Sequence, residues 1–360
     1  MHLVELIASN ETAPGILDDL EKFLVTTLGK GVIRARDTPN FIANRVGVFS
    51  MLATIHHAQA SGLGFDVVDA LTGPLIGRPK SATFRTADVV GLDTFAHVVK
   101  TMADTLGDDP WHPHYAVPDW LQALIADGAL GQKTKRGVYR KAGRDIQVLD
   151  LAAKDYRAAA GEADPGVVEI LKNRDVAARF AALRASPHPQ AKFLWAIFRD
   201  TFHYCAVHLA AIADNARDLD LAIRWGFGWQ QGPFELWQAA GWATVARWID
   251  EDIRAGRAMA DAPLPAWALE SGRSGVHGAQ GSYSPATQAN VARSPLPVYR
   301  RQLFPDRVLG ETATYGSTLF ETAAVRLWHT GDDIAIVSFK SKMHTIGDDV
   351  LDGVLESIHR

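Results

Sequence analysis

The segment Phe84-Arg-Thr-Ala-Asp-Val-Val-Gly91 returns 150 residues later as Phe234-Glu-Leu-Trp-Gln-Ala-Ala-Gly241. Around it other parts recur in the same order. A long apolar helix pattern from Phe193 to Ala213 matches one at 41–60, and Asp218-Leu-Asp-Leu-Ala-Ile-Arg224 parallels Asp66-Val-Val-Asp-Ala-Leu71. Gly281-Ser-Tyr283 echoes Gly137-Val-Tyr139. Recurrence of this kind confines the chain to a duplicated helical unit, whose two copies most simply pack face to face on one shared core.

The first copy is preceded by a different pattern. Leu3-Val-Glu-Leu-Ile7 is a short aliphatic run suited to a strand. Thr12 to Leu28 is amphipathic, with Ile16, Leu17, Leu20, Phe23, Leu24 and Leu28 on one face, and it stops at Gly29 and Gly31. Gly31-Val-Ile-Arg-Ala-Arg36 reads as a second strand. Together they make one βαβ-like unit, too little to cover both faces of a sheet. After the turn residues Asp37 to Asn40 the period becomes helical, and further helices are expected at 66–76, 84–106 and 118–128. The boundaries that follow are 1–36, a helical domain at 37–145, a linker at 146–190, a second helical domain at 191–290, a linker at 291–330, and a new strand and helix at 331–360. The class is mainly α.

Composition excludes several functions. Apolar residues at 47% and charged residues at 22% are ordinary for a globular chain. A net charge of −4 gives no electrostatic reason to expect nucleic acid. The single cysteine, Cys205, leaves no internal disulfide and fits a reducing, cytoplasmic setting. No basic segment leading into an apolar one marks a secretory signal, and no apolar run is long enough to suggest a membrane span.

Few residues carry a chemical signal. Glu5 interrupts an aliphatic strand, either on a solvent face or as the orienting partner of a histidine; His2, three residues away, would face the other side of the strand. Asn44 lies one turn inside the first apolar helix, past any capping position, which suggests a directed hydrogen bond from its amide. Gly226-Phe-Gly-Trp-Gln-Gln-Gly232 imitates a dinucleotide loop. It follows a helix pattern and runs into Pro233, so it reads as a helix-to-helix turn. Trp225, Trp229, Trp237, Trp242 and Trp248 have core-like helical spacing. His112 and His114 flank a proline without the cysteines or acids of a metal site, so no metal is expected.

Leu3-Val-Glu-Leu-Ile7, Leu28-Gly-Lys30 and Asp37-Thr-Pro-Asn-Phe-Ile-Ala-Asn-Arg45, in this order, resemble the 3-hydroxyacyl-CoA dehydrogenase family. Gly131-Gln-Lys-Thr with Gly137-Val-Tyr139, and Gly232-Pro-Phe-Glu-Leu-Trp237, look like parts of that family's helical C-terminal domain in two copies. Residues 1–36 then look like the tail of its Rossmann-type NAD-binding domain, and 331–360 are similar to the opening of an enoyl-CoA hydratase (crotonase-like) domain. The order resembles that of fatty-acid oxidation fusion proteins in which a dehydrogenase precedes a hydratase. The resemblance implies an acyl-CoA substrate and NAD, a histidine that takes the 3-hydroxyl proton, Glu5 orienting that histidine, and Asn44 on the substrate. The histidine, the glycine-rich NAD loop and a substrate-binding serine would lie upstream of Met1. This chain is therefore expected to be inactive alone, truncated at both ends, with cofactor-binding residues unassigned. Its partners would be the remaining domains of the fusion or a second copy. The other reading is a non-catalytic helical module that dimerises or holds acyl-CoA. Two departures from the family stand out: Asn40 replaces a usual glycine, and Ala82-Thr-Phe-Arg85 replaces the Gly-Pro form of the second copy.

Overall fold

The computed structural model describes residues 2–13, 15–300, 302, 306–311, 316–331 and 333–360. The chain divides into a large unit, residues 1–293 with 308–310, and a small one, residues 294–307 with 311–360.

In the large unit, β1 (Leu3–Ile7) and β2 (Gly31–Ala35) run parallel, Leu3 opposite Gly31 and Ile7 opposite Ala35, with α1 (Ile16–Thr26) crossing between them. The helix does not turn its apolar face to the sheet. Asp18 and Glu21 face inward, where both meet the Arg34 guanidinium of β2, and Glu21 is buried. Leu17 and Leu24 are half-buried while Ile16, Leu20, Phe23 and Leu28 stay exposed, so most of the expected apolar face points out.

The helices that follow are α2 (Ala43–Ala60), α3 (Phe65–Thr72), α4 (Phe84–Val90), α5 (Leu92–Thr105) and α6 (Asp119–Ala126). The helix expected at 84–106 is divided at Gly91, whose φ of 103° no helix accommodates. A three-stranded antiparallel sheet comes next: β3 (Tyr139–Ala142), β4 (Asp145–Asp150) and β5 (Asp155–Ala158). Then come α7 (Pro165–Lys172), α8 (Val176–Ala185), α9 (Pro189–Ile212), α10 (Ala216–Phe227), α11 (Pro233–Ala239) and α12 (Trp242–Arg254). A second small antiparallel sheet, β6 (His277–Gly278), β7 (Gly281–Ser284) and β8 (Ala289–Val291), ends the unit.

One continuous core spans all of this. Its spine is α2 packed along α9, with Phe49 stacked on Tyr204 at 3.8 Å between ring centroids. Two polar pins hold the seam. Arg45 of α2 donates to Tyr204 (3.1 Å) and to Asp109 (3.0 Å), and His57 meets Asp200 at 2.5 Å, with Arg199 on the same carboxylate at 2.7 Å. Burial alone would raise the Asp200 carboxyl, but His57 and Arg199 outweigh it and hold it down to about 2. Residues 146–190 are not the linker expected: β4, β5, α7 and α8 place Val148, Val167, Leu171, Phe180 and Leu183 inside the same core.

The helix sets on either side of that seam close in parallel ways. Asp69 of α3 accepts the N–H groups of Thr83, Phe84 and Arg85 at the start of α4, and the Tyr139 hydroxyl at 3.0 Å. Asp220 of α10 accepts Phe234 and Glu235 at the start of α11, and the His277 ring at 2.8 Å. Pro233 has no N–H to give, so one backbone donor drops out of the second set. Asp88 accepts Val138 and Tyr139; in the corresponding place the Gln238 amide oxygen accepts Val276 and His277. The counterpart of Gly137-Val-Tyr139 is therefore Gly275-Val-His277, which replaces the expected match with Gly281-Ser-Tyr283. The two turns differ as their sequences suggest: Ala82 is left-handed at φ 50°, whereas Gly232 has φ −71°.

The small unit begins earlier than the expected boundary at 331. It contains α13 (Pro297–Arg300) and the antiparallel sheet β9 (Ser317–Glu321), β10 (Val325–His329) and β11 (Ala335–Phe339), followed by α14 (Asp348–His359). Much of the expected 291–330 linker is thus part of this unit, while its residues 301, 303–305 and 312–315 lie outside the described ones. Val350 of α14 packs with Ala324 and Val325 of the β10 side; Leu351, Leu355 and Ile358 on the other face are exposed.

Candidate functional site

The turn Asp37-Thr-Pro-Asn40 reverses the chain from β2 into α2 by placing Asn40 and Phe41 at φ 63° and 50°. Asparagine tolerates this geometry, which explains how it stands in a glycine position, and its side-chain amide donates to Val98 O at 3.3 Å. The reversal leaves the first N–H groups of α2 without a side-chain cap of local origin. The cap comes from Glu5 on β1 instead. Its Oε1 accepts the N–H of Ile42 at 2.9 Å and of Ala43 at 3.1 Å. Burial raises the carboxyl above its ordinary value, against the pull of those two N–H groups. The second oxygen, Oε2, has no partner among the described residues.

Asn44 follows directly on Ala43 and is exposed, so it lies in the helical turn whose first N–H groups the Glu5 carboxylate of β1 caps. The next residue, Arg45, points the other way into the α2–α9 seam, where His208 and Asp109 surround it at 3.3 and 3.0 Å. His2 is turned away from Glu5: its ring packs edge-on against Trp225 at 5.2 Å. Sequence reading named Arg45 but gave it no role. An arginine on an otherwise apolar helix, with an unassigned aspartate at 109, was the available signal.

The other sequence candidates have structural roles. Of the Gly226 to Gly232 segment, Gly226 lies in the last turn of α10 and Gly228 to Gly232 join it to α11, with Gly228 ending one helix in the left-handed region and Gly232 preceding Pro233 at the start of the next. Trp237 and Trp242 stack at 4.1 Å in the core and donate to the carbonyls of Trp242 and Ala268. His112 and His114 each bond a backbone carbonyl, of Ala103 and Met259. Cys205 is buried, and burial pushes its thiol well above the usual range. Ser282, His277 and Asp220 form a Ser-His-Asp chain at 2.8 Å per link. It is sealed in the core, and Asp220 is already committed to the α11 cap, so no substrate can reach the hydroxyl. A cleft of about 1120 Å³ between the C-terminal half of α2 and the β3–β5 sheet does not reach Glu5 or Asn44. Its cations Arg136, Arg140 and Lys154 are balanced by four aspartates, which leaves no convergent charge.

A long helical spine, parallel helix–turn closures and a helix N-terminus capped from a preceding strand define a mainly helical domain. Residues 41–141 match the family model for the 3-hydroxyacyl-CoA dehydrogenase C-terminal domain. A probable 3-hydroxyacyl-CoA dehydrogenase of Bacillus subtilis (strain 168) is 34% identical over 363 residues, covering 98% of this chain and 43% of that protein. A putative fatty acid oxidation complex trifunctional enzyme of Rickettsia prowazekii is 28% identical over 258 residues, 69% of this chain and 34% of that one. The crystal structure of 3-hydroxybutyryl-CoA dehydrogenase from Escherichia coli K12 superposes with a TM-score of 0.52 over 74% of this chain and 66% of that chain, at 18% identity, which is a likeness of fold. The chain belongs to the 3-hydroxyacyl-CoA dehydrogenase family, a family of NAD-dependent oxidoreductases. It spans less than half the length of the curated relatives named here. No helix of the described residues is long and apolar enough to cross a membrane.

Proposed function

We propose that this chain supplies the substrate side of a 3-hydroxyacyl-CoA dehydrogenase of fatty-acid oxidation, which converts a 3-hydroxyacyl-CoA and NAD to a 3-ketoacyl-CoA and NADH. The observation that carries this reading is the Glu5 clamp on the N–H groups of Ile42 and Ala43. With Oε1 so held, Oε2 is fixed in direction and open to an imidazole N–H, which it would orient and, once the ring takes the hydroxyl proton, stabilise as a cation. The exposed amide of Asn44 offers a donor to the substrate oxygen on which charge develops.

The β1–α1–β2 unit does not fit a dinucleotide. Its strand-to-helix turn holds the single glycine Gly15, and Asp18 and Asp19 occupy the first turn of α1, where a pyrophosphate would need positive potential. Among the described residues we assign none to the hydride half of the reaction, and the 360 residues alone are expected to form no NADH. The parallel closures at Asp69 and Asp220 support a second copy of the C-terminal-type domain, with boundaries near 37–145 and 191–290. The exposed apolar faces of α1 and α14 support an NAD-binding domain tail at one end and the start of an enoyl-CoA hydratase-like domain at the other, in keeping with the trifunctional name of the Rickettsia relative. A cytoplasmic location and contacts with the other domains of such a fusion, or with a second copy, go with this reading.

Calorimetry with a 3-hydroxyacyl-CoA and with NAD tests it. Acyl-CoA binding that Asn44→Ala weakens roughly tenfold, the loss of about one hydrogen bond to a polarised oxygen, is the expected result. No heat from NAD is expected. NADH production lost on Glu5→Gln would overturn the claim of inactivity. Self-association without acyl-CoA binding would replace the proposal with a helical dimerisation module, the reading that the exposed α1 face also favours.

A further inference from the structure

Buried arginines in the α2–α9 seam are neutralised: Arg45 by Asp109 at 3.0 Å, Arg199 by Asp200 at 2.7 Å and by Asp252 at 3.2 Å. Arg78 is not. It lies just after the short 3₁₀ turn Pro74–Ile76, only 8% exposed, and no carboxylate reaches it among the described residues. Its single side-chain hydrogen bond runs from Nη2 to Ser50 Oγ of α2 at 3.3 Å. The Trp229 ring lies 3.9 Å from the guanidinium carbon and covers one face. This cover is held in place by the Gln230 N–H, which donates to Gly77 O at 2.8 Å.

A cation–π contact offsets part of the cost of burying a charge but leaves hydrogen-bond donors unused. Among the described residues Nε and Nη1 of Arg78 have no partner, and neither is fully enclosed, so both keep a path to solvent. The Ser50 hydroxyl accepts from Arg78, and its own proton has no acceptor among the described residues. Burial without a counter-charge holds the guanidinium down to about 9, still cationic at neutral pH. The donor set is a planar fork plus a hydroxyl, more donors than the two oxygens of a carboxylate need and suited to a tetrahedral oxyanion.

We propose that Arg78 and Ser50, under Trp229, form a subsite for a phosphate-type oxyanion, either free or borne by a ligand. Ser50 is six residues past Asn44 on α2, about 9 Å along the helix axis and on a different face of it, so the coenzyme A arm of the test decides whether one ligand reaches both. The subsite itself does not depend on the dehydrogenase reading and stands if acyl-CoA binding at Asn44 fails.

The test uses the full 360-residue protein. Thermal melts and calorimetry are run with inorganic phosphate against chloride at equal ionic strength, then with coenzyme A against uncharged pantetheine. Phosphate is expected to raise the melting temperature of the wild type. Arg78→Met should fold, because an apolar side chain of similar length removes an uncompensated buried charge, and should weaken phosphate binding roughly tenfold or more. Ser50→Ala provides a second variant that leaves the guanidinium in place and should weaken binding by a smaller factor. Coenzyme A binding tighter than phosphate and weakened by Arg78→Met assigns the anion to a ligand; phosphate binding with no gain from coenzyme A assigns it to the free ion. Either result supports the subsite. No phosphate response in the wild type, or an equal response in wild type and both variants, overturns it.

Discussion

Glu5, Asp69, Asp88 and Asp220 are carboxylates whose partners are mainly backbone N–H groups at helix starts and turns. Such groups lie far apart in sequence from what they hold, so the residue type was legible and its role was not. Glu5 read from its strand alone as a solvent-face residue or a histidine's partner, and its hold on the start of α2 emerged only when that N-terminus met it. Asn44 stood out through the family pattern, and the fold leaves it exposed in the first turn of α2, next to Ala43, whose N–H Glu5 caps. Arg78 carried no signal, since an arginine between glycine and proline reads as a surface turn.

One pH response belongs at this scale. Burial and the neighbouring Asp220 carboxylate push the Glu235 carboxyl up to about 7, although the N–H groups of Gly232 and Leu309 bind it. Its folded value lies above the unfolded 4.5. The stability it contributes is therefore complete below the unfolded value and is lost as pH rises through the folded one. Between about pH 5 and about pH 8 the wild type should lose more thermal stability than Glu235→Gln, which keeps an acceptor but cannot ionise. Equal slopes in paired melts would show that this carboxyl does not titrate as stated.

At the scale of elements, helix positions followed from apolar spacing, and the misses have specific causes. The 84–106 pattern is apolar in register across Gly91, so spacing alone could not show the break. Residues 141–190 are rich in alanine and charge, which favours helix locally, yet 139–158 form β3 to β5 because Tyr139, Val148 and Leu149 find a shared surface against the helices. The two closures also make a differential prediction. A Cβ on Gly137 would collide with the Asp88 carboxylate and the Gly131 backbone, whereas the nearest atoms to one on Gly275 belong to the neutral Gln238 side chain, whose amide must shift off the Val276 and His277 N–H groups but leaves no buried charge behind. Gly137→Ala should cost about 2–4 kcal/mol by breaking two hydrogen bonds to a buried carboxylate. Gly275→Ala should cost about 1 kcal/mol. Urea unfolding of the two variants gives the comparison, and equal losses would remove the asymmetry.

At the scale of the whole molecule, the 1–293 core and the small C-terminal unit have separate hydrophobic clusters. A chain ending after Gly310 retains Leu309, whose N–H binds Glu235, and should melt within a few degrees of the main transition of the full protein. A drop of more than about 10 °C, more than 1 kcal/mol accounts for in a domain of this size, would mean the core depends on the small unit.

The recurrence at an offset of 150, the βαβ pattern before it and the DTPNFIANR turn set the helical class and the family from sequence, because period and turn chemistry are local properties. Tertiary structure decided what locality cannot encode. It decided that α1 faces its apolar side outward, that Gly275-Val-His277 and not Gly281-Ser-Tyr283 closes the second set, that Glu5 caps α2, and that Arg78 is buried beside Ser50 and Trp229 without a counter-charge. Each depends on which surfaces meet, and burial and unpaired charge exist only after they do.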